Sequence, residues 1–181
     1  SGCTKKATIE GSSGVIEEIE TADEYGITIK EDTVSLIDGT GKEVIINKNP
    51  ERVIVLFSSF IDIWVKNGGQ LVGMIEDSNG NVIPGTEDVE TVGTTGTLSL
   101  EKIISLEPDL VILSANTSSQ AELIPILEDN GIQTIAIDYK FLDDYFKTVR
   151  LFSALNDRQD LYEVNLKQVR SDIEEIIAKV P

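Results

Sequence analysis

Four short runs, Val53 to Phe57, Leu71 to Ile75, Leu110 to Leu113 and Thr134 to Ile137, are almost wholly apolar and rich in β-branched residues. A strand with one wet face alternates apolar and polar residues, so these runs predict strands covered on both faces. Segments of helical spacing separate them. Phe60 to Asn67 ends at Gly68-Gly69, Leu98 to Leu106 stops before Glu107-Pro108, and a segment from about Gln120 ends at Asn130-Gly131, where Gly suits a left-handed cap. Pro125 means that this last helix either starts late or kinks. Strands alternating with helices through short connections predict a doubly wound, mostly parallel α/β layer with flanking helices. Ahead of it, Val34 to Ile37, Asp38-Gly39-Thr40-Gly41 and Val44 to Ile46 predict an N-terminal β-hairpin, because Asp-Gly tolerates positive φ.

The C-terminal third is helical. Phe141 to Leu155 carries Leu142, Phe146, Val149 and Phe152 on one side, and Asn156-Asp157-Arg158 breaks it. Tyr162, Leu166, Val169, Ile173, Ile176 and Val180 then recur at alternating spacings of four and three, a narrow seam on a helix about 30 Å long. Residues 1–30 are polar and charged with only isolated apolar residues, which predicts a flexible tether. The expected organisation is a tether over 1–30, an α/β lobe over 31–158 and a long helix over 159–181.

Composition removes several functions. The 181 residues carry 15 Lys and Arg against 32 Asp and Glu, a formal charge of −17, which is the wrong sign for a phosphate backbone. There is no His and only one Cys, so His-based triads, His-rich metal sites, Cys clusters and an internal disulfide are excluded. No apolar run approaches the ~20 residues of a membrane span. Neither a resident metal nor a cofactor is expected.

In an open parallel sheet, ligands gather beyond the carboxyl ends of the strands. Those ends carry Ser58, Ser59 and Phe60; Thr94, Thr95 and Thr97; Asn116 and Thr117; and Tyr139 and Lys140. Hydroxyls and amides hydrogen-bond polar ligand oxygens and aromatic rings stack, but no nucleophile and base pair is evident. Ser59 and Thr97 could equally cap the next helix. Gly93-Thr94-Thr95-Gly96-Thr97 lacks the Gly-Lys-Ser/Thr ending of a phosphate loop, so its glycines are read as permitting a tight bend. Asp62, Asp109 and Asp138 would suit a receiver domain of the same layer topology, but the first strand ends in Ser58-Ser59 instead of an acidic pair, which argues against phosphoryl transfer.

Asn49-Pro50-Glu51-Arg52-Val53-Ile54-Val55-Leu56, Gly68-Gly69-Gln70-Leu71-Val72-Gly73, Leu98-Ser99-Leu100-Glu101-Lys102-Ile103 and, most specifically, Leu106-Glu107-Pro108-Asp109-Leu110-Val111-Ile112 resemble the class III substrate-binding proteins of ATP-driven (ABC) importers. The resemblance covers roughly residues 34–181. It implies two α/β lobes joined by one long helix, with this chain matching the first lobe and the helix. It further implies a ligand that is a ferric siderophore, haem or a corrinoid, no catalytic residues, and a membrane permease as partner, met by Glu101. Asp62 stands where family members commonly carry Glu, and Phe60 and Trp64 beside it are bulkier than usual. Ser1-Gly2-Cys3-Thr4-Lys5-Lys6 resembles the cleavage region of a bacterial lipoprotein signal, which implies lipidation at Cys3 and an extracytoplasmic, membrane-anchored location. The alternatives are an enzyme domain of flavodoxin-like type, or a sensor or adhesion module built on the same lobe.

Overall fold

The computed structural model describes residues 21–77 and 79–181; Cys3 and most of the expected tether lie outside them. Three antiparallel strands come first: β1 (Thr28–Ile29), β2 (Thr33–Ile37) and β3 (Glu43–Asn47). The β2–β3 pair is the expected hairpin, with Val34, Leu36, Val44 and Ile46 buried in alternation. The tether was expected to reach residue 30, but the fold starts earlier. Ile27 is buried in the core and β1 pairs with β2, because one apolar residue in a polar stretch suffices once a strand edge is available to it.

The main sheet has five parallel strands in the order β10-β9-β4-β5-β6, formed by β4 (Val53–Val55), β5 (Gly73–Met74), β6 (Glu90–Thr91), β9 (Leu110–Ser114) and β10 (Gln133–Ile137). The chain builds outward from β4 through β5 to β6, returns to pair β9 beside β4, and ends at β10. This order makes the sheet doubly wound, with its topological switch point between β4 and β9. A two-stranded hairpin, β7 (Gly93–Thr94) with β8 (Thr97–Leu98), follows β6.

Right-handed crossovers put α1 (Ser58–Lys66) on one face and α2 (Leu100–Ser105), α3 (Ser118–Ala121) and α4 (Ile124–Asp129) on the other. α5 (Leu142–Leu155) packs on α1, and α6 (Gln159–Ala178) packs on α5. Pro125 resolves as a late start: it occupies the first turn of α4, where its missing N–H costs nothing. The expected helix over Leu98 to Leu106 is shorter, since Leu98 lies in β8 and Ser99 caps α2 by accepting a hydrogen bond from the Lys102 amide at 3.2 Å. The seam of α6 is half covered. Tyr162 packs against the core, whereas Ile176 and Val180 stay about two-thirds exposed (64% and 68%).

The outer edge of β10 is closed by the hairpin turn. The Gly39 amide donates to the Ala136 carbonyl at 2.7 Å, the Ala136 amide donates to Asp38 Oδ2 at 3.3 Å, and Gln133 exchanges hydrogen bonds with the backbone of Ile45 and Asn47. A Cβ on Gly39 would collide with Ala115 and the Asp138 amide, so only glycine permits this approach.

The most specific sequence motif meets the Asn49 to Leu56 stretch at the amino ends of β4 and β9. The Asp109 carboxylate accepts from the amides of Glu51 and Arg52 at 2.8 and 3.0 Å, while the Arg52 guanidinium donates to the Leu106 and Glu107 carbonyls at the end of α2. The motifs are therefore a staple of β4, β9 and α2. Asp109→Ala is expected to lower stability by about 1 kcal/mol, the cost of an exposed charge-assisted pair of bonds, seen as a lower urea midpoint at unchanged slope.

Candidate functional site

All five parallel strands deliver their loops to one edge. Neighbouring strands lie about 4.8 Å apart, so the edge from β10 to β6 spans roughly 19 Å. Along it lie Asp138, Tyr139 and Lys140 after β10, Asn116 and Thr117 after β9, Ser58 and Ser59 after β4, and the Thr94 to Thr97 hairpin after β6. The expected bend is real: Gly93 has φ of 120°, and a Cβ there would strike the Thr97 carbonyl.

The capping alternatives for Ser59 and Thr97 do not hold. Phe57 occupies the N-cap of α1, with no side-chain cap bond, and Ser99 caps α2. Among the described residues, the hydroxyls of Ser58, Ser59, Thr94, Thr95, Thr97 and Thr117 make no hydrogen bond. The first turn of α1 also contains no acidic residue, so its free N–H groups and the positive end of its dipole open at the switch point.

Asn116 ties two loops together. Its Nδ2 donates to Asp138 Oδ1 at 2.9 Å and its Oδ1 accepts from the Tyr139 amide at 3.0 Å. The bond from Asn116, followed by that from Lys140, holds the Asp138 carboxyl below its ordinary value. Lys140 lies 3.4 Å from Asp138, so it is an exposed partner of that carboxylate. Burial raises the Tyr139 hydroxyl above its usual value.

Phe60 departs from expectation. It is fully buried, because its ring is enclosed by Phe57 at 4.9 Å, Tyr139 at 5.5 Å and Phe152 at 6.5 Å. It supports the rim from below, and half-buried Phe57 is the aromatic residue after β4 that reaches it. Asp62 pairs with Lys66 at 2.7 Å on the α1 surface. Glu101 is exposed in the first turn of α2, next to the β7–β8 hairpin. Sequence reading missed the loop after β5, where Glu76 donates its amide to the Gly93 carbonyl at 2.8 Å; its turn residues resembled any surface connection. Among the described residues, no cluster of three or more His, Cys, Asp or Glu could hold a metal ion, and no helix is long and apolar enough to cross a membrane.

Residues 53–181 match the family described as Periplasmic binding protein. The uncharacterized ABC transporter substrate-binding lipoprotein YvrC of Bacillus subtilis is 27% identical over 150 residues, which is 81% of this chain and 47% of that protein. The Fe(3+)-citrate-binding protein YfmC of the same organism is 28% identical over 187 residues, covering 100% of this chain and 54% of its own length. The crystal structure of the petrobactin-binding protein YclQ of Bacillus subtilis superposes with a TM-score of 0.67 at 19% identity, over 81% of this chain and 53% of that one. The chain spans about half the length of the curated relatives it matches. Matched over its whole parallel sheet and both C-terminal helices, the chain belongs to the periplasmic binding protein family, the substrate-binding proteins of ABC transporters.

Proposed function

We propose that the chain is one lobe of a cell-surface binding protein that captures a ferric chelate, haem or a corrinoid and hands it to a membrane permease. The observation that carries this reading is the set of hydroxyls that have no hydrogen-bond partner among the described residues, gathered with Asn116, Phe57 and Tyr139 at the switch-point edge, where the described residues bring no acid–base pair together. Such a surface binds reversibly and does no covalent chemistry. The uncapped start of α1 favours oxygen-rich anionic ligands, and the ferric-citrate and petrobactin relatives support a ferric chelate among the three classes. Cys3 is the proposed lipid anchor, in keeping with the lipoprotein name of YvrC. Titration of the protein, extended to the length of its relatives, with ferric citrate, haem and cobalamin tests the reading; saturable binding to one of them is expected, and binding to none defeats it.

Glu101 is the proposed contact with the permease. It is exposed and stands beside the ligand edge without hydrogen-bonding to any of its loops. A carboxylate seated in a basic pocket of a partner costs about 2–5 kcal/mol on truncation, against under ~1 kcal/mol for an exposed pair. Glu101→Ala should leave ligand affinity and melting temperature unchanged while weakening permease association and slowing uptake. Normal uptake in that variant, or collapsed ligand binding, contradicts the assignment.

A further inference from the structure

We infer that Gln120 is a positioning residue that sets the width of the ligand crevice, an inference that rests on reading the switch-point edge as the ligand site. In the parallel ladder between β4 and β9 the Leu56 amide donates to the Ile112 carbonyl at 2.9 Å. The next rung would run from the Ser114 amide to the Leu56 carbonyl. The Gln120 side chain is inserted there instead, with Oε1 accepting from the Ser114 amide at 2.8 Å and Nε2 donating to the Leu56 carbonyl at 2.7 Å.

One primary amide thus stands in for a peptide group and holds the two strands apart by its own width where they leave the sheet. Gln120 is fully buried, so water does not substitute for it. The same chain of bonds continues outward. Ser114 Oγ accepts from the Asn116 amide at 3.2 Å, and Asn116 joins Asp138 and Tyr139. The loops carrying Ser58 and Ser59, Asn116 and Thr117, and Tyr139 are therefore set relative to one another through Gln120, which itself is sealed from any ligand.

Two substitutions test this. Gln120→Met keeps length and apolar volume but removes both bonds. Gln120→Glu restores both only when protonated, its O–H donating to the Leu56 carbonyl and its C=O accepting from the Ser114 amide; burial raises the acid's pKa toward the accessible range. Amide-exchange protection factors are measured on the 181-residue chain between pH 8 and 5. In the Met variant, protection at Ser114 and at the flanking loops should fall about tenfold or more while Ile54 and Ile112 keep theirs. In the Glu variant, the lost protection should return on acidification, a recovery that neither wild type nor the Met variant shows.

Affinity, measured on the longer protein for whichever of ferric citrate, haem and cobalamin wild type binds most tightly, should follow the same pattern. Unchanged loop protection, a uniform loss across the sheet, or unchanged affinity despite looser loops each overturns the positioning role. If wild type binds none of the three, the ligand reading fails, whereas the exchange pattern separately decides whether Gln120 sets the loops.

Discussion

Trp64→Ala is expected to destabilise the lobe by about 3–5 kcal/mol, or to lower its melting temperature by roughly 6–20 °C. The indole is fully buried, meets Phe152 edge-on at 5.1 Å, and donates its N–H to the Gln70 carbonyl at 3.0 Å. Gly69 lies directly beneath it, so close that any Cβ there would overlap the ring. Removing the side chain leaves a large cavity between α1 and α5 and strips Gln70 of its partner. Trp64→Phe should recover most of the packing but not the hydrogen bond, and so should cost appreciably less. Thermal melts of both variants decide the matter. Equal losses would place the energy in the hydrogen bond, and a loss under about 1 kcal/mol would remove Trp64 from the centre of the core.

The second large effect concerns ligand capture. The 181-residue chain should bind whichever of ferric citrate, haem and cobalamin the longer protein takes at least about 100-fold more weakly than the same protein extended to the length of its relatives. Small-molecule sites bury most of the ligand surface, and exclusion of water strengthens each polar contact within them. Here Ser59, Thr94, Thr95, Thr97 and Asn116 stand exposed along an open edge. A factor of 100 corresponds to about 2.7 kcal/mol, a modest share of what a second wall of contacts supplies. Parallel titrations of the two lengths measure it directly. Equal affinities would defeat the two-lobed reading.

Most of the parallel layer could be read from sequence because burial on both faces leaves a local mark. Val53 to Val55 and Leu110 to Ser114 are apolar without alternation, and both are central strands. The edge that gathers the loops follows from strand direction alone, which is why Ser58, Thr95, Asn116 and Tyr139 could be assigned to the loops after the strands without any knowledge of contacts. What escaped depended on partners distant in sequence. Phe60 follows a strand end like any rim residue, and only the arrival of Phe152 and Tyr139 encloses it. Gln120 reads as an ordinary residue at a helix start, since nothing local indicates that its amide replaces a rung between two strands. Leu98 fits the apolar spacing of α2, but the Thr95-Gly96 turn draws it back into a hairpin first. The motif around Glu107-Pro108-Asp109 was recognisable as a signature, yet its work is to fasten the amino edge.

The closure of β10 by the Asp38-Gly39 turn has a consequence for how such a chain can be made. An outer strand with bare amides and carbonyls is a template on which another chain can pair and begin to aggregate. The covering hairpin precedes β10 in sequence by the length of the whole parallel layer, and its two strands are local enough to pair within microseconds. As the chain emerges amino end first, the guard is therefore assembled before the strand it guards exists. Circular permutation that joins the two ends through a linker and opens the chain between β3 and β4 would place the hairpin behind β10, keeping the final contacts and reversing that order. The permuted chain should then give a lower soluble yield on refolding at high concentration, with unchanged stability once folded.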